Sequence, residues 1–293
     1  MEHAAAHEET RRKGEATLYV VATPIGNLRD ISLRALDVLK SVAAIAAEDT
    51  RITRRLLDHY GIATRLFAVH EHNERRAVKQ AISLLNTGQS LALVCDAGTP
   101  AISDPGALLV SAVRAAGYTV TPVPGANAAI TALAASGLEN PHFVFVGFLP
   151  ARPSARRHAL AALAALPYTL VCYEAPHRIT ECLQDMATIL GGARRVVIAR
   201  ELTKTFESIH VSTLAQAVPW LETDPNRRRG EFVVLVEGAT TPVAGSGEGG
   251  ATLELLLQEL PLRKAVDLAV KLTGGRRNEL YKLALTLKRS RES

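Results

Sequence analysis

A carboxylate placed just past a buried strand, in a loop with glycines, can offer one ligand both an anion and bare backbone amides. The stretch Leu91–Gly106, LALVCDAGTPAISDPG, has this form. Leu91 to Cys95 is an apolar run of the kind that forms a buried strand of a parallel sheet, and it stops abruptly at Asp96. Gly98 and Gly106 permit close backbone approach, and Asp96 is an acceptor suited to hydroxyls or an ammonium group. Asp104 followed by Pro105 predicts an N-cap with proline at the first position of a helix running to Ala116. A purely structural turn, with Asp96 holding only backbone amides, fits the same residues.

Three more loops share the pattern: Pro24-Ile25-Gly26-Asn27, Glu48-Asp49-Thr50-Arg51 and Pro124-Gly125-Ala126-Asn127. Parallel strands present their carboxyl ends to one edge, so these loops converge on a single crevice. Their content is small residues, main-chain amides and a few carboxylates, without a His/Cys nucleophile pair. That suits a polar cofactor held largely by backbone, with the reactive group on the cofactor.

The elements that must position these loops alternate. Strands are expected at Leu18–Ala22, Ala43–Ala47, 65–69, Leu91–Cys95 and 119–123. Helices are expected at Ile31–Val42 (capped by Ser32), 50–60, 74–87, Ala107–Ala116 and Gly125–Ser136, giving a parallel α/β half. After Gly137 come a strand at Phe143–Phe148, a helix at 154–166, a strand at Thr169–Tyr173 and a helix at 178–190. Strand-like runs at Val196–Arg200, Phe206–Val211 and Phe232–Val236 then follow with few helices between them, so the second half should be a mixed, partly antiparallel α/β domain. The boundaries expected are a disordered segment 1–16, domains 17–137 and 138–238, a flexible linker 239–250 and a helical domain 251–293.

Charge is unevenly spread along the 293 residues, whose formal net charge is +5. Residues 251–293 hold nine Lys/Arg against five Asp/Glu, while the other 250 residues are nearly balanced. A neutral body with a basic tail points to a polyanionic partner. Within the tail, helices at Leu262–Leu272 and Arg276–Leu287, joined by Thr273-Gly274-Gly275, read as a helix-turn-helix. No apolar stretch approaches the ~20 residues of a membrane span, and the N-terminus lacks a signal-peptide core, so a cytoplasmic protein is expected. Cys95, Cys172 and Cys182 show no paired spacing, so free buried thiols are expected and no metal site. Gly245–Gly250, GSGEGG, matches the dinucleotide fingerprint but follows no strand, so it is set aside.

Eight segments taken together resemble a known family: ATPIGNLRDIS (22–32), AAEDTR (46–51), DAGTPAISDPG (96–106), PVPGANAAITALAASGL (122–138), FVGFLP (145–150), YEAPHRI (173–179), ARELTKTFE (199–207) and GEFVVLVEG (230–238). The set is similar to the bacterial 16S ribosomal RNA 2′-O-ribose cytidine methyltransferases of the tetrapyrrole-methylase superfamily, the class III S-adenosylmethionine methyltransferases. The resemblance implies two α/β domains with the cofactor cleft between them, a helix-turn-helix-like end, and usually a homodimer acting on 16S rRNA in the small ribosomal subunit. It implies that Pro24, Ile25, Gly26 and Asn27 form the first cofactor loop. Asp96 with the backbone of Ala97, Gly98 and Thr99 would hold the methionine moiety, and Asn127 and Ala128 would line the pocket. Cys172, Tyr173, Ala199 and Glu231 would enclose adenine and ribose.

With methyl transfer as the expected chemistry, a ribose hydroxyl must lose a proton, and a positioned base adds ~10²–10⁴-fold. The candidates are Glu48, Asp49, Asp104, His177 and Glu201, and each has a structural alternative. Asp49 and Asp104 can cap helices, Glu201 can pair with Arg200, and His177 can start a helix. Arg51, Arg54, Arg178, Arg200 and Lys204, with Arg276 and Arg277 in the tail, are the candidate phosphate contacts. Aromatic residues are only 4% of the chain, so a broad base-stacking platform is not expected. Methylation of a small tetrapyrrole, and an RNA-binding assembly factor with a vestigial pocket, remain as alternatives.

Overall fold

The computed structural model describes residues 16–70, 72–239, 248–273 and 277–291. The first half is built on five parallel strands: β1 (Thr17–Val21), β2 (Ala44–Ala47), β3 (Leu66–Ala68), β4 (Leu91–Val94) and β5 (Thr119–Val123). Their order is β3-β2-β4-β1-β5. The central strands β2 and β4 are buried at every position, as a sheet covered on both faces requires. Helices α1 (Leu33–Ser41) and α2 (Thr50–His59) cover one face through Ala35, Leu39 and Leu57. Helices α3 (Glu74–Asn86) and α4 (Ala107–Ala115) cover the other through Ala77, Ala81, Leu85, Leu109 and Val113. Helix α5 (Ala128–Ala135) closes this half.

The second half carries β6 (Phe143–Phe148), β7 (Thr169–Glu174), β8 (Arg195–Arg200), β9 (Ser208–Thr213) and β10 (Phe232–Val236) in the order β6-β7-β10-β8-β9. Only β6 and β7 run parallel; the other pairs are antiparallel. The expected mixed sheet is therefore present. Side-chain alternation divides the three central strands between two cores. Leu170, Cys172, Val196, Ile198, Phe232, Val234 and Val236 face α6 (Pro153–Leu163), α7 (Ile179–Leu190) and α8 (Leu214–Glu222). Val171, Tyr173, Val197, Ala199, Val233 and Leu235 face the first half and pack with Ile25, Ala129 and Ala132. This second core sits between the two halves.

Several expectations shift. The α4 cap is Gly106, at φ +122°, with no side-chain cap, so neither Asp104 nor Pro105 opens the helix. A Cβ on Gly106 would lie 2.7 Å from Leu93 Cδ2, and the tight approach rather than a capping bond fixes this end. Ser32 does cap α1, its hydroxyl accepting from Ala35 N–H at 3.1 Å, but Leu28–Asp30 form a separate 3-10 turn. The helix expected from Gly125 starts at Ala128, behind the cap Asn127. The strand expected at Phe206–Val211 starts at Ser208, leaving Phe206 in an exposed turn. Helix α8 has no counterpart in the sequence reading, because Pro219 lies within it.

Trp220 of α8 is stacked on His210 of β9, ring centroids 3.8 Å apart, and the Arg227 guanidinium lies over the Trp220 ring, 4.7 Å from its centroid. The three cysteines are free and buried. Helices α9 (Glu248–Glu259), α10 (Leu262–Thr273) and α11 (Arg277–Arg291) pack around Leu253, Val266, Ala269, Leu280 and Ala284. The last part of the expected linker, 248–250, is the first turn of α9, and with it the end of the GSGEGG run. The expected disorder of residues 1–15, the linker residues 240–247, Gly274, Gly275 and Arg276 lie outside the described residues. Among the described residues no helix is long and apolar enough to cross a membrane.

Beneath the second sheet, the Arg156 side chain is 2% exposed and donates through Nε to Asp185 Oδ2 at 2.6 Å. Removing one partner of a buried pair strands the other charge. Asp185→Ala should cost about 3–5 kcal/mol in urea unfolding, and a cost well under 1 kcal/mol would contradict the pairing.

Candidate active site

A cavity of about 390 Å³ opens between the carboxyl edge of the first sheet and the inner face of the second. The first half contributes Ile25, Ala97, Gly98, Thr99, Ile102, Ser103, Asp104, Asn127 and Ala128. The second half contributes Phe148, Tyr173 to Pro176, Ala199, Leu202 and Glu231 to Val233. Two loops of the first half are locked to each other before they reach it. Thr23 N–H donates to Gly98 O at 2.8 Å, and Gly98 N–H donates back to Thr23 O at 3.0 Å. The buried Thr23 hydroxyl donates to Cys95 O. Gly98 sits at φ +83° beside Ile25, a conformation that favours glycine. Asn127 caps α5 by accepting from Ile130 N–H, and its amide donates to Thr99 Oγ1. Ala129 N–H, in the first turn of α5, donates to the Tyr173 hydroxyl across the cleft at 3.3 Å.

The carboxylates divide by location. Asp49 caps α2, accepting from Arg51 N–H at 2.8 Å, and its hydrogen bonds with the Arg51 side chain hold it well below the usual carboxylate range. Asp96 accepts from Asp49 N–H at 3.0 Å, and its own amide donates to Glu48 Oε2. Burial raises Glu48, Asp96 and Asp104. Of these three only Asp104 lines the cavity; the Cys95 thiol nearby donates to Ala97 O and Gly98 O. Glu174 belongs to the lining, but its side chain shares the Cys172 face of β7, where its carboxylate pairs with Arg178 Nε at 3.2 Å and accepts from Ala175 N–H.

Residues 17–218 match the family model of the Tetrapyrrole (Corrin/Porphyrin) Methylases, and residues 243–288 match the RsmI C-terminal HTH domain. The chain belongs to the tetrapyrrole methylase family. A protein of Pseudomonas aeruginosa named Ribosomal RNA small subunit methyltransferase I is 54% identical over 272 residues, 92% of this chain and 96% of its own. Its namesake in Escherichia coli O157:H7 is 50% identical over 92% of this chain and 95% of that protein. Among solved structures, uroporphyrin-III-C-methyltransferase from Thermus thermophilus superposes with a TM-score of 0.53 at 18% identity, over 76% of this chain and 94% of its own. At that identity the likeness is one of fold.

In this tetrapyrrole methylase, Ile25, Ala97, Gly98, Thr99, Asn127, Ala128, Tyr173, Ala199 and Glu231 all line the cavity, while Pro24, Gly26, Asn27, Asp96 and Cys172 do not. Asp96 ties adjacent loops together. Cys172 lies one strand position from Tyr173 and therefore faces the α7 core. Asn27 caps the 3-10 turn, and Gly26 packs on the turn at 202–204, where a Cβ would lie 2.5 Å from Lys204 Cγ. Pro24 is not in the lining. Of the candidate bases, Glu48, Asp49, His177 and Glu201 all lie off the cavity, and His177 is exposed two residues before α7. Glu201 pairs with Lys204, not Arg200: Lys204 Nζ reaches Glu201 Oε1 at 2.9 Å and Glu231 Oε2 at 2.8 Å. Burial acts to raise Glu201, but the Lys204 ammonium and Glu231 amide outweigh it and lower its pKa.

The basic residues divide likewise. Arg178 is drawn inward to Glu174 and Leu149 O, and Arg200 donates to Arg229 O and Phe206 O. Arg54 donates to Thr64 O, Arg51 stays 86% exposed beside Asp49, and Arg277 pairs with Asp267. Reading the sequence missed Ile102, Ser103, Phe148, Leu202 and Val233. Strand alternation could have supplied Val233; the loop positions had no periodic signal.

Burial raises Asp104 above its unfolded value, so the folded state binds more protons across that interval and stability falls as pH rises through it. Asp104→Asn removes this loss. Scanning calorimetry at pH 7 should show an unfolding midpoint higher by about 1–3 °C, with the difference shrinking in acid. A lower midpoint at pH 7 would contradict this account.

Proposed function

We propose that this tetrapyrrole methylase transfers a methyl group from S-adenosylmethionine to the ribose 2′-hydroxyl of a cytidine in 16S ribosomal RNA near the decoding centre, working in the cytoplasm as a homodimer. The observation that carries the reading is the match to relatives named Ribosomal RNA small subunit methyltransferase I at about half identity over nine-tenths of the chain, basic tail included.

The residues of the cleft fit the cofactor. The cavity is of ligand size, with small residues where the main chain must approach and apolar side chains for a flat ring system. Ala97, Gly98, Thr99 and the first turn of α5 would hold its polar end, and Tyr173, Ala199 and Val233 the rest. S-adenosylmethionine supplies a methyl group activated by a sulfonium, so the protein need not polarise the carbon itself. The chain excludes water with Ile25, Leu202 and Val233 and orients the incoming hydroxyl, a contribution of ~7 kcal/mol or more when alignment is good.

RNA needs cations that internal partners leave available. The side chains of Arg55, in α2, and of Arg75 and Arg76, in the first turn of α3, belong to exposed residues and make no ion pair among the described residues. They serve as phosphate contacts beside Arg51, in place of Arg178 and Arg200, whose guanidinium groups are held by partners within the fold. Deleting 251–293 should leave cofactor affinity intact and weaken RNA binding, and each lost phosphate contact should flatten the slope of log K against log salt by roughly one unit.

The deciding measurement is mass spectrometry of nuclease-digested ribosomal RNA from cells with and without the gene. One ribose methyl should vanish from a 16S cytidine while the base stays unaltered. An unchanged pattern, or a missing base methyl, would reject the reading.

A further inference from the structure

Strand β6 breaks its own alternation just before it reaches the cavity. Phe143, Val144 and Phe145 pair in step with Thr169, Leu170 and Val171 of β7, but the residue paired with Cys172 is Gly147, not Val146. The extra residue makes a β-bulge, within which Gly147 takes φ +69°. Val144 and Val146 both pack on the core beneath α6 and α7. Strict alternation would put Phe148 on their face. The bulge instead pairs it with Tyr173, on the face turned to the first half of the chain.

The ring so re-aimed lines the cavity and yet stays 55% exposed. Its centroid is 5.7 Å from that of Tyr173 with 65° between the planes, and Phe145 meets the same Tyr173 ring at 5.0 Å. From the first half, Ile102 lines the cavity and is exposed as well. The two segments touch, since a Cβ on Gly147 would lie 3.5 Å from Ser103 Oγ. By contrast, the lining residues Ala199 and Val233 are buried. The cavity therefore has a covered apolar interior and an apolar rim open to water, with one aromatic ring on the rim.

We infer that Phe148 is the ring on which the cytosine of the target nucleotide stacks, a contact that positions the ribose for methyl transfer. The inference rests on the proposed function and adds how the nucleotide is seated. RNA bases that a protein recognises singly are splayed out of their stack and laid on aromatic side chains. A nucleotide entering this cleft loses its stacking neighbours, and Phe148 replaces one of them. A single ring serves a single base, which agrees with a chain too poor in aromatic residues for an extended platform. The adenine of the cofactor is a flat ring too, but the covered interior at Tyr173, Ala199 and Val233 suits it, whereas the rim suits a group that arrives from solvent and leaves again.

The test uses the full-length protein with small ribosomal subunits from cells that lack the gene. Phe148→Leu and Phe148→Met keep apolar bulk without a flat face, and should one of them fail to fold the other still decides. Each should lower kcat/KM on the subunits by about 5–150-fold. Calorimetric affinities for S-adenosylmethionine and S-adenosylhomocysteine, and the unfolding midpoint, should stay as in the unaltered protein. Phe148→Tyr and Phe148→Trp, which restore a flat face, should recover most of the rate.

Full activity of Phe148→Leu or Phe148→Met would overturn the proposal. Loss of affinity for both forms of the cofactor would also overturn it and assign the ring to adenine. Rates that fall equally in Phe148→Leu and Phe148→Tyr, together with a lowered midpoint, would reduce Phe148 to a packing partner of Tyr173. If the unaltered protein binds the cofactor yet methylates no small-subunit RNA, the functional reading itself falls and takes this proposal with it.

Discussion

The cleft depends on the pair of hydrogen bonds by which Thr23 and Gly98 hold each other. Beyond the last residues of β1 and β4 the parallel ladder has ended, and two chains leaving a sheet edge have no further reason to stay together. The antiparallel bridge supplies one, and the Thr23 hydroxyl adds another at Cys95 O. It places Ile25 against Gly98, and from that contact the chain reaches both the Asp104 loop and the turn at Leu202. Gly26 completes the fit, since the turn at 202–204 leaves no room for a Cβ.

Unusual backbone collects around the same place. Among the described residues, the non-glycine residues at positive φ are Ala101, Glu201 and Thr203. Ala101 precedes the cavity residues Ile102 to Asp104, and the other two flank the cavity residue Leu202. Each such residue costs on the order of 1–3 kcal/mol unless its surroundings compensate. Lys204, bridging Glu201 and Glu231, supplies that compensation on one side, and Glu74 on Gly106 supplies part of it on the other. The two strained segments face each other across the cleft from different halves of the chain.

Much of this was legible in residue order, for reasons that also explain the rest. Runs such as AIAA and LALV must be buried strands, and loops at their carboxyl ends must share an edge; both follow from backbone geometry alone. The mixed sheet of the second half was legible from strand runs that crowd together. Asp104 was misread because Asp-Pro ahead of helix formers is a capping pattern, and only the contact of Gly106 with Leu93 shifts the helix start. Cys172 was misplaced by one residue, and in a strand one residue is the whole distance between opposite faces. Helix α8 was hidden by a proline that tertiary packing tolerates. The arginines followed charge, but Arg178 and Arg200 answer to carbonyls and a carboxylate that lie near them only in the fold.

The His210–Trp220–Arg227 stack has an optical consequence. Trp220 is the only tryptophan in the chain, and it lies on the face of the second sheet away from the cleft. Its emission is therefore a local gauge of how β9 and α8 hold together, and ligand arriving in the cleft should leave it dark to the event. The imidazole stacked on it becomes an efficient quencher once charged, and burial with the neighbouring Arg227 lowers the His210 pKa, delaying that charge to more acid solution. Fluorescence from this protein reports the integrity of one sheet edge, set apart from the chemistry on the sheet's other side.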